Sequence, residues 1–123
     1  MKFQLDTATG GNVITRVEPG CVWVNGQAHQ RPVVVPWAGP VVPWDLEDFD
    51  ALRATHFEAL LGLKPELVLL GTGARLRFVH PALSQSLMHA GIGMDCMDLA
   101  AACRTFSVLT AEGRKALGAL IPS

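Results

Sequence analysis

Gly71-Thr72-Gly73, followed by Arg75, is the set of residues best suited by type and spacing to hold a ligand. Two glycines let backbone N–H groups approach an anion closely, and a nearby arginine adds positive charge, so the fitting ligand is a phosphate or carboxylate. The motif is shorter than a dinucleotide fingerprint and does not end in the Lys-Ser/Thr of a phosphate loop. A tight strand-to-loop turn that needs glycine for its backbone fits the same residues. Asp95 and Asp98 could work as an acid and a base, although Asp98 is also placed to cap a helix. Cys96 would need a base and exposure to act as a nucleophile, and its apolar setting predicts a buried, unreactive thiol. His80 and His89 lack partners at zinc-knuckle spacing, so no metal and no other cofactor is expected.

A different kind of lead is the apolar stretch from Val33 to Trp44, which is interrupted by Pro36, Pro40 and Pro43. Prolines cannot donate to a central ladder, so the stretch reads as an edge strand followed by a crossing loop. On such a loop Trp37 and Trp44 are candidates for a partner surface, and core packing suits them at least as well. An exposed edge at Val33–Val35 could also pair with another chain, a homodimer included.

The elements that must position these residues follow from pattern. At 123 residues, with 50% hydrophobic and 17% charged, the chain suits one domain spanning 1–123 with one core. A net charge of -1 removes the electrostatic basis for a nucleic-acid partner. The start, Met1-Lys2-Phe3-Gln4-Leu5-Asp6, lacks the apolar core of a signal peptide, and no run reaches membrane-span length, so a cytoplasmic location is expected. Cys21, Cys96 and Cys103 are an odd set that reads as reduced thiols.

Residues 1–44 read as an antiparallel meander through Val13–Val17 and Cys21–Val24, with Asn25-Gly26 turning the chain so that Val33–Val35 folds back on Val22–Val24. Asp45 is placed to cap a covering helix over 45–62, stopped by Gly62 and Pro65. Residues 66–121 read as three parallel strand-then-helix units. Their strands are Leu67–Leu70, Ile92–Met97 and Phe106–Leu109, and their helices run over Pro81–Ala90, from the Asp98 cap through Cys103, and from the Thr110 cap through Ala116, Leu117, Leu120 and Ile121. The fold class is thus mixed α/β, an antiparallel β-rich half packed on a Rossmann-like parallel βαβαβα half. Ligands of such sheets lie beyond the carboxyl ends of the strands, which would bring Gly71-Thr72-Gly73, Met97-Asp98 and Leu109-Thr110 onto one rim.

Several segments together carry a resemblance: Pro65-Glu66 leading to Gly71-Thr72-Gly73, Gly91-Ile92-Gly93-Met94-Asp95-Cys96-Met97-Asp98, Ala101-Ala102-Cys103-Arg104-Thr105-Phe106 and Glu112-Gly113-Arg114, with Trp44-Asp45 upstream. Over roughly residues 10 to 121 the chain resembles the small family of unknown activity that includes mitochondrial complex I assembly factor 3 and the adipogenesis-associated domain proteins. The resemblance implies a β-rich half on a Rossmann-like layer and brings no enzymatic activity with it, and Gly71, Gly73, Arg75, Asp98, Arg104 and Thr105 are the matched or neighbouring positions that would form a site. Leu99 and Ser107 depart from the threonine and asparagine common there. Arg104 could equally pair with Asp98 or Glu112 as part of the scaffold.

The expectation is a non-enzymatic accessory or assembly factor whose partner is a protein, for example a membrane or respiratory-complex subunit. The competing reading is an anion-binding domain or enzyme in which Arg75 and Arg104 grip the ligand above Gly71-Thr72-Gly73.

Overall fold

The computed structural model describes residues 11–122, so the expectation about Met1–Asp6 lies outside the described residues. Strands β1 (Ile14–Glu18), β2 (Cys21–Val24) and β3 (Gln27–His29) form an antiparallel sheet in that order. Asn25 and Gly26 turn β2 into β3 with φ of 53° and 83°, the positive values that a two-residue hairpin turn requires. The returning strand is β3 and not Val33–Val35. Its side chains are mostly exposed, whereas Val33, Val34 and Val35 are buried and need cover on both faces.

That cover exists in a second sheet of five strands, ordered β5-β4-β8-β6-β7. Here β4 is Val33–Val35, β5 is Val42–Pro43, β6 is Leu67–Gly71, β7 is Gly93–Met97 and β8 is Ala116–Leu120. Strand β6 pairs in parallel with β7 and β8, while β4 pairs antiparallel with β5 and β8, so the sheet is mixed. Val33–Val35 is therefore an interior strand, which removes the proposed dimer edge. The true edges are blunted: β5 has two residues and Pro43 offers no N–H, and β7 carries the exposed Asp95.

Two assignments are reversed near the end of the chain. Phe106–Leu109 lies inside a helix and Ala116–Leu120 is a strand. Asp98 caps that helix, α3 (Leu99–Ala111), by accepting from the Ala101 N–H at 2.9 Å. Its buried stripe of Leu99, Ala102, Cys103 and Phe106 follows helical spacing and carries it past Cys103. Thr110 does not cap a final helix; it sits in the last turn of α3 and donates to the Phe106 carbonyl at 2.9 Å. Strand β8 is wholly buried because it runs between β4 and β6 with packing on both faces.

The covering helix expected over 45–62 is broken. A 3-10 turn at Phe49–Ala51 precedes α1 (Ala54–Glu58), and another at Leu61–Leu63 follows it. Asp48 accepts from Ala51 N–H at 3.1 Å, Leu52 then adopts extended backbone, and Arg53 opens α1 with its N–H donating to His56 Nδ1 at 2.9 Å. The helix expected from Pro81 is a 3-10 turn, Pro81–Ser84, leading into α2 (Gln85–His89).

Alternation along the strands divides the core between the two faces of the five-stranded sheet. Val34, Val68, Leu70 and Leu117 face Phe57, Leu60 and Leu87 on the α1–α2 side. Val33, Val35, Leu69 and Leu120 face Phe106 and Ala102 of α3 together with Val22 and Val24 of the small sheet. Burial of each large side chain contributes about 1.5–3 kcal/mol, which makes the sheet a stiff platform for the loops at its ends.

Candidate functional site

The loop after β6 is built around Thr72, a buried polar residue. Its hydroxyl lies 2.7 Å from the Arg75 carbonyl and 3.1 Å from that of Met97, and it accepts the Arg77 N–H at 3.0 Å. The Thr72 N–H donates to Met97 O at 2.8 Å, and the Leu99 N–H donates to Gly73 O at 2.8 Å. Gly73 is buried with φ of 93°, a conformation that favours glycine. Gly71 is glycine for packing. A Cβ there would lie 3.1 Å from Leu120 Cδ2 and 3.3 Å from Ala102 Cβ, so the missing side chain lets α3 approach β6.

Gly73 and Asp98 share the wall of a cavity of about 220 Å³, closed by Pro19-Gly20 from the β1–β2 turn, Leu99 and Pro122. Its charged lining residues are Glu18 and Asp98, two carboxylates, and neither Arg75 nor Arg104 lines it. Glu18 is paired with Arg16 and Asp98 accepts the Ala101 N–H, and no cationic side chain lines the cavity to attract an anion. Asp98 is committed to the helix cap, and Thr105 donates to Ala101 O at 2.9 Å while approaching Met97 Sδ at 3.4 Å. Arg75 is exposed beyond the loop. Arg104, on the exposed side of α3, borders a separate groove with Thr15, Cys103 and Ser107. Neither makes an ion pair among the described residues, so the suggested Arg104 pairing with Asp98 or Glu112 does not form. Thr110 lies away from the glycine loop, in a groove with Trp37, Ser107 and Asn12.

The tryptophans divide. Trp44 is buried, stacks edge-on against Phe57 at 6.0 Å and donates its indole N–H to His56 O at 3.2 Å, so it belongs to the core and not to a partner surface. Trp37 is half-buried, and its carbonyl accepts the Asn12 N–H at 3.1 Å. All three cysteines are free. Burial pushes the Cys103 thiol up to about 12 and also raises that of Cys96, which is only half-buried in β7. Among the described residues no cluster of three or more His, Cys, Asp or Glu could hold a metal ion, and no helix is long and apolar enough to cross a membrane.

Two features escaped the reading of motifs. Asn12 is a buried hub whose side-chain amide donates to Pro36 O at 2.8 Å and Gly39 O at 3.0 Å and accepts from Asn25, pinning the small sheet to the loop after β4. No short pattern marks it. The second feature is Phe78, whose relative exposure of 74% exceeds that of the other exposed large apolar residues described. The alternation Leu76-Arg77-Phe78-Val79 was the available signal, hidden by its position between the glycine loop and Pro81.

Residues 14–121 match a family described as protein of unknown function (DUF498/DUF598). Over 118 residues the chain is 32% identical to the Danio rerio NADH dehydrogenase (ubiquinone) 1 alpha subcomplex assembly factor 3, covering 94% of this chain and 67% of that protein. The Mus musculus protein of the same name is 34% identical over 84 residues, which are 67% of this chain and 45% of the mouse protein, so the match spans about half of that relative. A crystal structure of a Bordetella parapertussis protein superposes with a TM-score of 0.89 at 33% identity, covering 94% of this chain and 99% of the other. The solution structure of a Bordetella pertussis protein described as an Mth938-like domain gives a TM-score of 0.80 at 27% identity, covering 90% and 85%.

Proposed function

This chain belongs to the DUF498/DUF598 family of proteins of unknown function, and from that membership we propose that it is a non-enzymatic accessory factor of the assembly type, acting in the cytoplasm through protein contacts. The observation that carries this reading is the 32% identity to an NADH dehydrogenase assembly factor across 94% of the chain. The partner class it supports is a subunit of a respiratory or other membrane complex. The commitments of the candidate site agree: Thr72, Asp98, Thr105 and Thr110 are each engaged in hydrogen bonds that hold loops and helix ends. The parallel set β7-β6-β8 supports a Rossmann-like layer used as a scaffold, with the loops at its ends free to differ among relatives.

The test is affinity purification of the tagged chain from its native cells, with mild crosslinking and identification of bound proteins. Specific enrichment of respiratory-complex subunits is the expected result. Enrichment of no protein, together with retention of a small anion that Gly73→Val abolishes, would replace this reading with the ligand-binding one.

A further inference from the structure

Residues 74–80 leave the glycine loop without regular secondary structure, yet they are firmly held. Arg77 is fixed at three points: its N–H donates to Thr72 Oγ1 at 3.0 Å, its guanidinium reaches Asp50 Oδ1 at 2.6 Å, and its Cζ lies 4.1 Å from the centre of the Phe49 ring. Val79 packs against the core on the α1–α2 side. With residues 77 and 79 anchored inward, their neighbours are turned outward, and Leu76 is 47% and Phe78 74% exposed. Such a projection needs little ordering on binding, because the backbone is already fixed by its flanking contacts.

Charge narrows what can cover it. No Asp or Glu occurs between Glu66 and Asp95, and Arg75, beside Leu76, is exposed with no ion pair among the described residues. Resting on the accessory-factor reading above, we propose that Leu76 and Phe78 are the anchor by which this chain docks into an apolar pocket, rimmed by carboxylates, on a protein partner. A bilayer surface fits the same features less well. Stable membrane attachment takes a polybasic patch or a long amphipathic face, whereas Asp50 already occupies Arg77 and leaves Arg75 as the unpaired arginine of the projection. A pocket is satisfied by one aromatic side chain, since single buried aromatics dominate many interfaces.

The test places a benzoylphenylalanine photo-crosslinker in the full chain at position 78, or at the exposed Val108 on α3 as a control, in the native cells. The crosslinked peptide is sequenced, synthesised and used as the binding probe. The expected result is a segment combining apolar residues with Asp or Glu, reached from position 78 and not from 108. Phe78→Ala and Arg75→Glu should each weaken binding of that peptide by roughly tenfold or more, with unchanged melting temperature, and Val108→Ser should leave it intact. If affinity-purified partners persist while Phe78→Ala binds the peptide as tightly as wild type, the docking surface is wrong and the accessory role stands. If the wild-type chain captures no protein at all, both fall. Crosslinking to lipid, with cosedimentation on vesicles of equal parts phosphatidylglycerol and phosphatidylcholine that Phe78→Ala abolishes, overturns the protein pocket in favour of a membrane.

Discussion

The two ends of the segment that follows β6 are built on opposite principles. At Gly71-Thr72-Gly73 the backbone and hydroxyl groups are spent on holding β6, β7 and α3 together. At Leu76-Phe78, a few residues later, two apolar side chains face solvent from a backbone that is equally well anchored. The contrast teaches that a glycine-rich loop at a strand end is first a device for close approach of helix and sheet. The surface available to a partner lies where apolar groups remain unspent.

Mutations can break this comparison at either end. The largest effect is expected from Gly71→Val: even a Cβ meets Leu120 and Ala102 at 3.1 and 3.3 Å, and the added methyls should cost about 3 kcal/mol in urea unfolding. Next comes Thr72→Val, which keeps the shape but strands the Arg77 N–H and the Arg75 carbonyl, while Met97 O keeps its bond from the residue 72 N–H, for a loss of about 2 kcal/mol. Should Thr72→Val instead be neutral in stability and abolish ligand retention, the loop would have to be reassigned to binding.

Arg77→Ala removes a contact whose Asp50 partner is largely exposed, so the expected cost is less than about 1 kcal/mol. Its sharper signature is faster hydrogen exchange at Phe78 and Val79 with the rest of the sheet unaffected. Phe78→Ser is expected to change stability by no more than about 0.5 kcal/mol, as for other surface positions. A large loss of stability would place Phe78 in the core and end its role as a presented anchor.

The smallest effect is electrostatic. The Arg114 guanidinium, bonded to Glu66 at 2.7 Å, holds that carboxyl below the usual glutamate value of 4.5. A carboxyl whose folded pKa is depressed contributes stability above its unfolded pKa and loses it as pH falls through the folded one. Glu66→Gln should therefore lower the melting temperature slightly at neutral pH and have no effect in acid, with the difference shrinking in high salt.

Local signals proved legible where the physics is local. Asn25-Gly26 turned the hairpin because both residues accept positive φ, and Asp98 capped α3 because a carboxylate there meets free N–H groups. Leu67–Leu70 reads as a buried strand, and it is one. The stretch from Phe106 to Ile121 reverses the expected order of strand and helix. A wholly apolar run such as Ala116–Leu120 has no polar face, so its spacing cannot separate strand from helix, and Phe106–Leu109 fits either state until the stripe from Leu99 is followed through. At the candidate site the glycines were visible in advance, but their roles were not. Whether a cavity faces Arg75 or Glu18 depends on which elements close over it.

The sequence by itself determined the family, the turn chemistry, the helix cap and the glycine loop at the end of β6, because each is written in a few adjacent residues or in their spacing. Only the tertiary structure decided that Val33–Val35 joins β8, that Trp44 is core, and that Phe78 projects while Thr72 is buried. Those outcomes depend on which distant segments supply cover and which leave a side chain in water. Burial is a property of the assembled layers and not of any one segment.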